Sequence, residues 1–181
     1  MALTATIHHL KLAVSDVDRG VYESLDLRIA QHPSESLRYL YARTLAYCLF
    51  YEEGIAFSKG LSTTDEPAVW VKNLRGDLVA WIDVGNPSAE RLHKASKTGA
   101  RVVVFTHHNP ELLKKAATER AIHKVSAIEV YAIPPDLLDA LASVTGTRDA
   151  WEIVHTGGQL YVTAHAKVYE AEISRHRLGG D

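Results

Sequence analysis

Apolar and polar positions alternate along the first thirty residues. Leu10, Leu12 and Val14 stand two apart, Asp16-Val17-Asp18-Arg19-Gly20 supplies a turn, and Leu25, Leu27 and Ile29 resume the same period. A period of two on either side of turn residues predicts a β-hairpin. Past His32-Pro33 the period lengthens. Ser34 stands at an N-cap position, and Leu37, Tyr41, Thr44, Leu45, Cys48 and Leu49 recur at helical spacing until Glu52-Glu53-Gly54 interrupts them. This predicts a first helix from about Glu35 to Tyr51.

Three antiparallel strands are predicted next: Ile55 to Leu61, Val69 to Lys72 and Leu78 to Val84, the last two joined by the turn Asn73-Leu74-Arg75-Gly76. Pro87-Ser88 opens a second helix marked by Glu90, Leu92 and Ala95 and closed by Gly99. Arg101 to Phe105 then reads as a strand buried on both faces. Strand, short helix and buried strand make a crossover with parallel strands. Farther on, the pattern predicts a surface helix over Glu111 to Lys124, a strand over Ala127 to Ile133 and a helix over Asp136 to Val144. A hairpin of Trp151 to Val154 and Gln159 to Thr163 follows, extended by Lys167 to Ile173. The expectation is one mixed α/β domain over 1–181, with the β-rich ends forming a second sheet.

Composition narrows the class of protein. The 181 residues are 46% hydrophobic, enough for a core, and 20 basic against 22 acidic side chains leave a formal charge of -2. No global positive field marks a nucleic-acid binder, although a local basic patch can serve. Cys48 is the only cysteine, which excludes an internal disulfide and a thiolate metal cluster. No basic start followed by an apolar run precedes the hairpin, so a cytoplasmic location is expected. The longest apolar stretches, such as Val102 to Phe105, fall far short of the roughly 20 residues that cross a bilayer.

The chemistry centres on Asp83, the one charge in the apolar strand Leu78 to Val84. Pairing Lys72 with Asp77 across the turn places Glu66 opposite Asp83 on one face, with Asp65 on the other; a slip of one residue exchanges the two. Two carboxylates in a poorly hydrated place bind a cation or raise one pKa, and a shared divalent metal is one reading. The other is that Asp83 caps the turn through Gly85-Asn86 while Glu66 lies on a loop. Helix two carries Arg91, Lys94 and Lys97 along one face. Lys94 either leans back toward the strand end or pairs with Glu90. Glu35 falls in the first turn of helix one, near Arg38. The histidine pairs His8-His9 and His107-His108 diverge on strands, and no two histidines flank a glutamate at helical spacing, which argues against zinc. His107 or His108 follows a buried parallel strand, a favoured edge for ligands. Gly-rich phosphate loops, nucleophile elbows and Cys-x-x-Cys motifs are absent from the sequence.

Met1 to Ile7, His32-Pro33-Ser34-Glu35, Asp65-Glu66-Pro67 with Trp70, and Trp81-Ile82-Asp83-Val84-Gly85 with Pro87, Arg91, Lys94 and Ala95 stand in an order that resembles the YaeQ family of bacterial proteins. The resemblance runs through nearly the whole chain. It implies a restriction-endonuclease-like fold of the PD-(D/E)XK type: a core of helix, three antiparallel strands, helix and parallel strand over about 34–106, with extra β-hairpins from both termini. It further implies Glu66, or Asp65 in its place, and Asp83 as ligands of Mg²⁺ or Mn²⁺, and Glu35 as an accessory acidic residue on the first helix. The superfamily's lysine position is Gly85 here, so Lys94 would supply the amine, within reach of Asp83 or Glu66. The implied activity is a metal-dependent phosphodiesterase acting on nucleic acid. The alternative is a nuclease-fold binding module that has lost catalysis and contacts nucleic acid or a transcription-related protein partner.

Overall fold

The computed structural model describes residues 4–59 and 64–180. These fall into two compact units built from discontinuous stretches: Met1–Tyr41 with Pro134–Ile173, and Ala42–Ile133 with Ser174–Asp181. The expected core of about 34–106 is divided between them, and the division falls within the first helix, α1 (Leu37–Leu49).

In the first unit, the predicted hairpin forms as β1 (Thr6–Asp16) and β2 (Val21–Gln31), paired antiparallel from Thr6↔Gln31 to Asp16↔Val21. The C-terminal hairpin is longer than expected, with β8 (Arg148–Thr156) and β9 (Gln159–Ala164), and β10 (Lys167–Glu172) extends it. The five strands form one mixed sheet in the order β10-β9-β8-β1-β2, in which β1 and β8 run parallel. One face carries Leu10, Leu12, Val14, Trp151, Ile153 and Val162, all buried. Tyr41 meets the Trp151 ring edge-on at 5.2 Å, and α4 (Pro135–Val144) also belongs to this unit.

The second unit holds a six-stranded mixed sheet in the order β11-β7-β6-β5-β4-β3. Its strands are β3 (Ile55–Phe57), β4 (Val69–Lys72), β5 (Leu78–Val84), β6 (Arg101–Thr106), β7 (Glu129–Ala132) and β11 (Ser174–Arg177). The first strand is shorter than the expected Ile55 to Leu61; Gly60 and Leu61, like Met1 to Leu3 of the N-terminal motif, lie outside the described residues. The crossover forms as read, with α2 (Ala89–Lys97) joining the parallel strands β5 and β6. Helix α3 (Pro110–Glu119) stops short of the expected Lys124, and a 3-10 turn over Val125–Ala127 leads into β7. On the α2 side of the sheet, Trp81, Val102, Val104 and Val130 pack with Leu92, Ala95 and Leu113 into one buried cluster. The last strand, β11, was not anticipated. It pairs with β7, where Arg175 and Arg101 both donate to the buried Glu129 carboxylate, at 2.7 Å and 2.6 Å.

The β4–β5 register corrects the pairing read from the sequence. Asn73 and Asp77 pair with each other around the turn, and a bulge between Val71 and Lys72 adds a further offset, so that Trp70 faces Trp81 and Val69 faces Ile82. The ladder ends at Val69 and does not reach Glu66, which lies in a loop before Pro67. Proline has no N–H to extend it and restricts the residue before it.

Two outcomes follow. Gly54 has φ +89°, and a Cβ there would stand 1.9 Å from the Lys72 carbonyl oxygen, so Gly54→Ala must displace the β3–β4 edge. A loss of at least about 2 kcal/mol is expected from urea midpoints, and a loss under about 0.5 would refute the close approach. Burial pushes the Glu129 carboxyl up, but the Arg101 fork, the Tyr131 hydroxyl and Arg175 outweigh it and hold it below its ordinary value of 4.5. A depressed carboxylate stabilises the fold above its unfolded pKa and loses that contribution as pH falls through the folded one. Thermal unfolding against pH should therefore show a decline below about pH 4.5 that Glu129→Gln flattens.

Candidate functional site

Asp83 ends β5 with only 2% of its surface exposed. It shares a face of the sheet with Trp81, whose indole Nε1–H donates to Oδ2 at 2.9 Å. The helix that follows begins after the short connection Gly85 to Ser88. Ser88 caps α2, its hydroxyl accepting the Arg91 N–H at 3.2 Å, so Arg91 stands in the first turn. From there its guanidinium forks onto Asp83, Nε to Oδ2 at 3.0 Å and Nη2 to Oδ1 at 2.7 Å. Two of the remaining donors reach main-chain carbonyls of the loop before β4: Nη1 to Thr64 at 2.5 Å and Nη2 to Glu66 at 2.6 Å. The planar group serves four acceptors at once, a task that an ammonium point charge cannot match.

The residues singled out from the sequence are thus brought together only in part. The Glu66 main chain meets Arg91, but its carboxylate turns to the Lys59 N–H, which donates to Oε2 at 3.3 Å. Lys94 pairs with the exposed Asp65, and its ammonium holds that carboxyl below its usual range. Glu90, the other partner considered for Lys94, lies 3.4 Å from Arg120. Glu35 belongs to the first unit and precedes α1 rather than lying in its first turn. It is buried, and its Oε2 accepts the His32 N–H at 3.0 Å. Arg38 forks instead onto Asp139, at 2.8 and 2.6 Å. His107 is buried, with its ring 4.4 Å from that of the exposed His108.

This donor set does not fit a divalent cation shared by Glu66 and Asp83. Both Asp83 oxygens already accept charge-assisted hydrogen bonds from a cationic fork, and a second cation there would have to displace it. Gly85, which stands where the resemblance implied a lysine, has φ +89°, a left-handed conformation in which a lysine would be strained. The residue that sequence reasoning underweighted is Arg91. It stood on the same helix face as Lys94, and the signal for it was the unpaired charge of Asp83 just before the helix.

Comparison with known proteins matches residues 1–173 to the family model described as YaeQ protein. Curated relatives from Escherichia coli (strain K12) and Shigella flexneri, each described as uncharacterized protein YaeQ, are 36% identical over 109 residues. That match spans 60% of this chain and 60% of each relative. Two crystal structures are similar throughout. YaeQ protein from Pseudomonas syringae has a TM-score of 0.84 and 31% identity, covering 98% of this chain and 97% of its own. YaeQ protein from Xanthomonas axonopodis pv. citri has a TM-score of 0.86 and 29% identity, covering 96% and 99%.

Removing Arg91 leaves a buried carboxylate without its counter-charge. Arg91→Ala should cost about 3 kcal/mol in urea unfolding, and Arg91→Lys should recover only part of it. The double variant Asp83→Asn/Arg91→Met should lie closer to wild type than Arg91→Ala alone. Full recovery by lysine would show that charge, and not the fork, holds the loop.

Proposed function

The chain belongs to the YaeQ family, and from that premise we propose that it binds nucleic acid without cutting it, on a nuclease-like scaffold whose metal position is taken by the Arg91 guanidinium. The observation that carries this reading is the Arg91 fork on the buried Asp83. A fixed guanidinium neutralises the carboxylate but neither generates hydroxide from water nor bridges an attacking and a leaving oxygen. The left-handed Gly85 supports the same reading, because it removes the amine from the strand.

The ligand class rests on charge segregation. Between Ala89 and Lys124 the chain carries eight lysines and arginines against three glutamates, whereas the whole chain is net -2. Lys97 and Lys124, at the end of α2 and before the 3-10 turn, are exposed. Six of the eight are ion-paired with acidic side chains. The cations offered to a phosphate backbone, which binds through release of counterions independently of base sequence, are therefore the exposed Lys97 and Lys124. No described helix is long and apolar enough to cross a membrane.

Fluorescence anisotropy with single-stranded, duplex and branched DNA and RNA should show binding that weakens steeply with salt. The double reversal Lys97→Glu/Lys124→Glu should reduce affinity by about tenfold or more at low salt. The same substrates incubated in Mg²⁺ or Mn²⁺ should remain intact. Metal-dependent cutting by the wild type that Asp83→Asn abolishes would instead establish the phosphodiesterase. Absence of binding to every nucleic acid at low salt would overturn the ligand class and leave the protein-partner reading.

A further inference from the structure

The parallel pairing of β1 and β8 sets Asp16 and His155, 139 residues apart, directly opposite each other at the same edge of the five-stranded sheet. Both strands then turn. The Val17 N–H donates to the His155 carbonyl at 2.9 Å, which holds the two turns side by side. Gly157, at φ +56°, presents its N–H to Asp18 Oδ2 at 2.8 Å. One oxygen from each of Asp16 and Asp18 and a ring nitrogen of His155 lie within 4.8 Å of one another, as ligands gathered around a single ion do.

A second observation concerns Asp16 alone. Its side chain is 1% exposed, and Oδ2 is buried with no hydrogen-bond donor. Oδ1 accepts the Arg19 N–H at 3.2 Å and stands 3.3 Å from His155 Nδ1. The nearest cation to Oδ2 is Arg19 Nη1, at 3.6 Å, too far for a hydrogen bond and on a side chain that is 38% exposed. A buried carboxylate oxygen left in this state is costly, and a bound cation removes the cost. The contrast with Asp83, both of whose oxygens accept hydrogen bonds, is direct.

We propose that Asp16, Asp18 and His155 ligate one divalent first-row transition-metal ion, of the zinc, cobalt or manganese class. Two carboxylates balance the charge of the ion, and the imidazole nitrogen selects transition metals over magnesium and calcium. The histidine spacing that argued against zinc bears only on ligands from one element, whereas these come from two turns far apart in sequence. The ion ties the ends of β1 and β8 together. Three protein ligands leave it further positions for water or an anionic ligand. The site is separate from Asp83 and Arg91 and stands whether or not nucleic acid is bound.

The test is titration of the tag-free, chelator-treated full chain with Zn²⁺ by calorimetry and with Co²⁺ by visible absorption. One equivalent should bind, with a cobalt spectrum showing a nitrogen ligand and a rise in Tm. Asp18→Asn and His155→Gln, at exposed and half-buried positions, should each weaken binding by about tenfold or more and abolish the rise in Tm. Asp16→Asn should do the same; should it fail to fold, the other two variants decide. His9→Gln and His108→Gln should bind as the wild type does. No binding at millimolar metal would overturn the proposal. So would affinity held within about twofold in both Asp18→Asn and His155→Gln, or a loss that follows one of the control variants.

Discussion

A charge at the end of a buried strand has to be neutralised where it stands, and in the second unit the neutralising group also sets the local architecture. Asp83 pairs with Val104 of β6, stands one residue past the last β4 pair at Val69↔Ile82, and is 2% exposed. The effective penalty for burying such an ion is several kcal/mol. Arg91 meets it only if α2 starts a short connection after the strand and in a phase that turns its third residue back toward β5. The Ser88 cap and Glu90 in the first turn favour that start. Two of the three N–H donors left over then fasten the carbonyls of Thr64 and Glu66. Strand end, helix phase and loop position are consequences of one ion pair.

That interdependence explains which parts of the fold were legible in the sequence. Alternation marked β1, β2, β4 and β5, and the crossover to β6 followed from lengths alone. The β4–β5 register was not legible, because its two offsets together shift the pairing by an even number of residues. An even shift leaves every side chain on the same face, so the apolar pattern is satisfied equally well either way. Only the turn pairing of Asn73 with Asp77 and the bulge at Val71/Lys72 distinguish the two registers, and neither has an apolar signature. Strand β11 was hidden for a related reason. Ser174-Arg175-His176-Arg177 is an edge held by hydrogen bonds and by Arg175 on Glu129, with no apolar alternation to announce it. The parallel contact of β1 with β8 joins the two ends of the chain and leaves no local trace in either strand.

The candidate site was legible as a charge out of place, but its partner was not. Arg91 and Lys94 lie one turn apart on the same helix face, and charge alone does not choose between them. The choice follows from donor count: two carboxylate oxygens and two carbonyls need a fork, and the lysine is left to the exposed Asp65. Glu35 was misplaced by a preference for local partners. The helix begins two residues later, its carboxylate folds back onto the His32 N–H, and Arg38 finds Asp139 at a separation of 101 residues. Planar bidentate pairing outweighs the weak attraction available one helical turn away.

The contrast between the two acidic sites bears on what each can do. A carboxylate that is to receive a metal must keep acceptor capacity without an internal cation that saturates it, and it bears the cost of that in the absence of the metal. Asp83 bears no such cost: its counter-charge is covalently part of the chain, so the loop, the helix and the strand end are ordered without any ion. Such a centre is ordered by its own ion pair. In the segment from Ala89 to Lys124 the lysines and arginines outnumber the glutamates, but most are already ion-paired, as Arg91 is with Asp83, Lys94 with Asp65 and Arg101 with Glu129. On the proposed reading, a phosphate backbone is drawn to the exposed Lys97 and Lys124. On that reading, binding at these two lysines leaves the Asp83–Arg91 pair intact, because the pair is held within the chain.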